Sequence, residues 1–169
     1  DSKRKLMIVE EIRRWIENVL SVPSKHFNGV PPCPYAKQAW ARNEVKVVFG
    51  SRTQVDAVID DWPENADIVI VVITDPIEFD DINDWCEEYN EQLKFEDLTL
   101  MSFVPGETMD TGQPDEEMTA WDPLVEEEYA MIFVQSLTEL ETASAHLMSK
   151  GYYQNCTKEF MEYVRKRSE

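Results

Sequence analysis

From Ile68 to Ile73 the chain runs Ile-Val-Ile-Val-Val-Ile, with every side chain apolar and β-branched. A β-branched run bounded by turn residues reads as a strand, and a strand with no polar alternation must be covered on both faces. This run, extended to Thr74, therefore predicts the centre of a sheet that carries helices. Asp75-Pro76 ends it, because proline has no N–H to give to a ladder. The run is also the longest apolar stretch in the chain. It falls far short of the roughly 20 residues that span a bilayer.

The flanking pattern supplies the rest of such a sheet. Glu44 to Phe49 reads as a strand with Val45, Val47 and Phe49 on one face. Leu98 to Val104 and Tyr129 to Gln135 read as two more. Between them, Thr53 to Trp62 carries Val55, Val58 and Ile59 at helical spacing. Glu78 to Leu93 does the same with Phe79, Ile82, Trp85, Cys86, Tyr89 and Leu93. Residues 4 to 20 form an opening helix with Leu6, Val9, Ile12, Ile16, Val19 and Leu20 on one side. Tyr35 to Arg42 is a short helix, and Leu137 to Lys150 a longer one ending at Gly151. A last helix runs to Lys166, capped by Asn155 or Thr157. The expected fold class is α/β, with α+β as the alternative: a single mixed sheet of about four strands with helices packed on it. Two consecutive βαβ units are expected, from strand one to two and from strand two to three. The length of 169 residues suits a single domain, interrupted by a long acidic loop from 105 to 128.

Charge narrows the function. Asp and Glu number 34 against 16 Lys and Arg, a net charge of −18. Nucleic-acid and anionic-membrane surfaces call for clustered cations, so direct contact with either is not expected. A negative field of this size steers basic partners. The 105–128 loop sets Met109, Met118 and Trp121 among acids, the composition of a segment that docks a basic protein. Three cysteines without a Cys-x-x-Cys spacing, and no leader-like apolar segment, point to reduced thiols and a cytoplasmic setting.

The most distinctive local feature is Pro31-Pro32-Cys33-Pro34-Tyr35-Ala36. A thiol at the start of a helix has its thiolate favoured by the helix N-terminus. Lys37 lies one turn on, and His26 is seven residues before Cys33. A nucleophilic cysteine needs a base, so Cys33, His26 and Lys37 form the candidate catalytic set. Arg42 is a candidate ligand for an anionic small molecule. Asp75 is another candidate, at the carboxyl end of the central strand, where α/β sheets place ligands. The other histidine, His146, reads as packed or surface. The helical acids Asp80, Asp81, Asp84, Glu87 and Glu88 read as a solvated face, and no metal site is expected. No Gly-rich phosphate loop and no Gly-x-Ser-x-Gly is present, and no particular cofactor is indicated.

These residues carry a resemblance. Trp15-Ile16-Glu17 followed by Pro32-Cys33-Pro34-Tyr35-Ala36 resembles an uncharacterised bacterial family with a tryptophan-bearing helix and a Leu-Cys-Pro-Phe-Ala motif. Glu78-Phe79-Asp80-Asp81 and Leu100 to Pro105 are similar to later family segments, as is Pro123 with its following strand. The resemblance spans about residues 10 to 150. Val104 stands where the family has histidine, and Tyr129 to Gln135 lacks the family's His and Arg. The resemblance implies the fold and a role for Cys33, and it implies no reaction. Two readings follow: a small enzyme or small-ligand protein centred on Cys33, or a non-enzymatic acidic protein that docks a basic partner.

Overall fold

The computed structural model describes residues 2–106, 111–118, 123–167 and 169. Met109 and Trp121, two of the expected docking anchors, lie outside the described residues, as does the side chain of Met118. Contacts gather the chain into two compact units. One comprises Asp1–Trp40, Met109–Glu126 and Glu141–Glu169; the other comprises Ala41–Thr108 and Glu127–Leu140. The architecture is mixed α/β, as expected, with a single four-stranded mixed sheet.

The second unit holds the sheet. Its strands are β1 (Val45–Phe49), β2 (Ile68–Ile73), β3 (Leu98–Phe103) and β4 (Ala130–Ser136). Their order is β1-β2-β4-β3. β1 and β2 pair in parallel, with Val47 opposite Ile70. β4 lies antiparallel to both β2 and β3. The expected βαβ unit from β1 to β2 joins neighbours. The one from β2 to β3 joins parallel strands that do not touch, because β4 is inserted between them.

β2 is closed to solvent from Val69 to Ile73, as its β-branched run requires. Val69, Val71 and Ile73 stand opposite Val134, Ile132 and Ala130 of β4 and share one core with them. Leu100 of β3 and Val104 join it, and two helices supply the rest. The helix expected over Thr53–Trp62 stops two residues early, at Asp60, and buries Val55 and Val58. The helix expected over Glu78–Leu93 is two elements. Asp75 accepts a hydrogen bond from the Ile77 N–H and, with Pro76, starts a 3-10 turn over Pro76–Asp81. The α-helix proper is Ile82–Leu93, with Ile82, Cys86 and Leu93 buried. We label these helices α3 and α4, after α1 (Ser2–Trp15) and α2 (Ala36–Ala41) of the chain's start.

In the first unit, the single helix expected over 4–20 is α1 followed by a π-helical turn, Ile16–Leu20. Its buried stripe is Ile8, Ile12, Ile16 and Val19, and Glu11 is buried with them. Leu6, expected on the apolar face, is 71% exposed. The long loop contains a four-residue helix, α5 (Asp115–Met118). α6 (Leu137–Ser149) begins in the sheet unit and ends in this one. α7 (Lys158–Lys166) is capped by Thr157, whose side chain accepts from the Phe160 N–H at 3.2 Å.

Candidate functional site

The expected site residues fall in two groups. Cys33, His26 and Lys37 belong to the first unit, and Arg42 and Asp75 to the second.

The Cys33 turn is built by the prolines around it and by the chain's C-terminal third. Prolines 31, 32 and 34 exclude helix until Ala36. The Cys33 N–H donates to the Leu20 carbonyl at 2.8 Å, which ties the turn to the end of the first helix. The Tyr152 hydroxyl donates to the Pro32 carbonyl at 2.6 Å. Tyr152 in turn stacks on Phe27, with ring centres 4.3 Å apart, and both are buried beside Leu147. Phe27 carried no signal in the sequence, since a lone aromatic in a proline-bounded loop has no period to read.

Burial pushes the Cys33 thiol up, and the N–H groups of Tyr35 and Ala36 partly oppose the rise by bonding its sulfur. Those N–H groups are the helix-terminus effect expected from the sequence. They are outweighed because a partly buried thiolate loses hydration. Lys37 is exposed and does not enter this balance. His26 is half-buried, and its Nε2 donates to the Thr111 carbonyl at 2.7 Å. Among the described residues no hydrogen bond joins His26 to Cys33. The other two thiols are also raised by burial, Cys86 to about 12.

In the sheet unit, Asp75 is exposed and serves as the cap of the 3-10 turn. Arg42 stands at the opposite, amino end of β1. It lines an open polar groove of about 710 Å³ with Asn43, Glu44, Lys46, Asn65 and Asp67. Asn43 and Asn65 adopt left-handed backbone there, a conformation asparagine tolerates better than most residues. Asp75 and Arg42 are thus at different ends of the parallel pair.

A feature the sequence reading did not single out lies between α3 and α4. Asp56 of α3 and Trp85, Glu88, Tyr89 and Gln92 of α4 line a notch of about 250 Å³. Trp85 and Tyr89, one helical turn apart, meet edge to face with ring centres 5.2 Å apart. The Tyr89 hydroxyl donates to Asp56. That carboxylate, burial, and the further charges of Glu96 and Asp60 push the phenol up to about 12. Arg52 approaches Trp85 from outside the notch, its guanidinium 5.5 Å from the ring centre. It is held by Glu78 and by Asp81 at 2.8 Å. The signal was present as an aromatic pair at i and i+4 beside Glu88, which reads equally well as core.

Among the described residues, no group of three or more His, Cys, Asp or Glu is gathered to hold a metal ion, and no helix is long and apolar enough to cross a membrane. No family model matches the chain, and neither a curated protein nor a solved structure matches it.

Proposed function

We propose that the chain is a non-catalytic, acidic interaction protein that engages a basic polypeptide. The observation that carries this reading is how the charges are spent. Arg13, Arg14, Arg52, Arg165 and Arg167 are already paired with carboxylates of the chain itself. The excess acids stay uncompensated, and Asp56, Asp60, Asp84, Glu87 and Glu88 stand exposed on α3 and α4. Such a surface attracts cationic partners over distances of about a Debye length. The three free cysteines fit a reducing, cytoplasmic compartment.

The test is titration with an arginine-rich peptide and its glutamate counterpart. The basic peptide is expected to bind, with an affinity that falls steeply as salt rises, and the acidic one to show no binding. Equal binding of both, or of neither, overturns the reading.

A second reading keeps a small-ligand or catalytic role at the Cys33 turn. It is favoured by the two amides directed at the Cys33 sulfur. The rate at which Cys33 is alkylated separates it from the first.

A further inference from the structure

We propose that the notch between α3 and α4 is the seat for one arginine side chain of that basic partner; the proposal rests on the interaction reading above. Trp85 and Tyr89 offer two aromatic surfaces nearly at right angles, with an interplanar angle of 80°. Asp56 of α3 and Glu88 of α4 both line it, and neither forms an ion pair among the described residues. Two like charges at one opening repel each other, and a single entering cation relieves both. Aromatic faces attract cations through their quadrupole, most strongly when water is excluded.

A guanidinium fits this chemistry better than an ammonium. It is planar, weakly hydrated, stacks on rings and presents several N–H groups edgewise to carboxylates. Trp85 already has one guanidinium over its ring, that of Arg52, which does not line the notch. The Tyr89 hydroxyl uses one oxygen of Asp56, Oδ1, and so orients that carboxylate. Tyr89 is a phenol at neutral pH, as any tyrosine is, and its hydroxyl therefore remains a donor to Asp56. The notch, about 250 Å³ and open to solvent, is of a size for one side chain.

The experiment uses the full chain and three short peptides of alternating Gly and Arg, Gly and Lys, or Gly and Glu. Affinity is read by calorimetry, and the Trp85 indole N–H is followed by NMR. The arginine peptide is expected to bind and to shift the Trp85 indole signal. Glu88→Gln should weaken it about tenfold, and Trp85→Leu similarly. Asp84→Asn makes the same charge change on α4 outside the notch and should weaken binding less than about twofold. Tyr89→Phe keeps the ring and frees Asp56, so it serves as a second variant should Trp85→Leu disturb packing; a loss of severalfold is expected.

Equal losses in Glu88→Gln and Asp84→Asn, with an unmoved Trp85 signal, overturn the notch and leave the acidic-surface reading standing. Equal binding of the lysine peptide overturns the choice of guanidinium. No binding of the arginine peptide to the unaltered chain overturns the interaction reading itself, and the notch with it.

Discussion

Asn90 on α4 grips both main-chain groups of Leu100 on β3. Its Nδ2 donates to the Leu100 carbonyl at 3.0 Å, and the Leu100 N–H donates to its Oδ1 at 2.7 Å. A carboxamide presents the same donor and acceptor as a peptide group, so Asn90 stands in for a neighbouring strand at the edge β4 does not occupy. Leu100 is buried, and its main-chain groups have no water to fall back on. Asn90→Ala should destabilise the chain by about 2 kcal/mol, the cost of leaving buried polar groups unpaired. Urea unfolding checks this. A loss under about 0.5 kcal/mol would mean that the edge is satisfied without Asn90.

The ion pair between Arg167 and Glu141 behaves differently from the surface pairs of α1. Arg167 has a side chain only 5% exposed, its Nε donates to Glu141 at 2.6 Å, and its Nη2 finds no partner among the described residues. Glu141→Ala strands a buried charge, and the expected loss is about 3 kcal/mol. Replacing both residues by leucine removes the charge together with its partner and should cost much less. Thermal or urea unfolding of the single and double variants reads the difference. A double variant as unstable as the single would show that packing, not charge, sets the loss.

Asp97 holds the start of α6 from outside the helix. Its Oδ1 accepts from the Thr138 N–H at 2.9 Å and from the Thr138 hydroxyl at 2.7 Å, and its Oδ2 accepts from Ser136. These donors hold the carboxyl below its usual range. A carboxyl depressed on folding adds stability above its unfolded pKa, and the stability is lost as pH falls through the folded one. The unfolded value is about 3.9. The stability difference between the parent chain and Asp97→Asn should therefore be full at neutral pH and shrink as pH drops below about 4. Unfolding curves across that range check it. A difference that is flat with pH would mean that the contribution of Asp97 does not come from its ionisation.

The thiols discriminate between the two functional readings. Cys33 and Cys86 are both raised by burial, as is Cys156. The thiolate is the reactive form, so each should be alkylated more slowly at neutral pH than a free cysteine. Cys86, the one thiol of the three that is closed to solvent, should be the slowest. Mass spectrometry of the time course resolves the three sites. If Cys33 instead reacts fastest, and faster than free cysteine, the two amides at its sulfur outweigh burial and the Cys33 reading prevails.

What the sequence made legible is what short periods encode. β2 declared itself because a β-branched run without polar alternation suits only a covered strand, and Val55 and Val58 because one turn of helix separates them. Strand order was not legible. β4 and β3 are both apolar enough to sit beside β2, and only tertiary packing places β4 there. The π-turn at Ile16 was hidden for a related reason: Ile12, Ile16 and Val19 keep helical spacing through it. The proline turn around Cys33 was readable, but the state of its thiol was not. That depends on its partial burial beside Tyr152, more than a hundred residues away in sequence. The acidic composition was plain, whereas the pairing of Asp56 with Tyr89 joins two helices whose facing sides no local pattern fixes.

Gly112 and His26 tie part of the long loop down. The described stretch of that loop makes real contacts: Thr111 accepts from His26, and Glu117 accepts from Ser24 at 2.7 Å and from Gln113 at 3.1 Å. Gly112 has φ +86°, and a Cβ added there would lie 2.9 Å from His26 Cε1. Gly106 in the same loop has φ +78°, with nothing within 4 Å of such a Cβ. Alanine at either position pays the strain of left-handed backbone, about 1 kcal/mol. Only Gly112→Ala must also displace the imidazole, which its bond to Thr111 holds in place. Gly112→Ala should therefore lower the melting temperature by several degrees more than Gly106→Ala, and the excess should vanish in a His26→Ala background. Equal effects of the two glycine substitutions would mean that the loop lifts away from His26 at little cost.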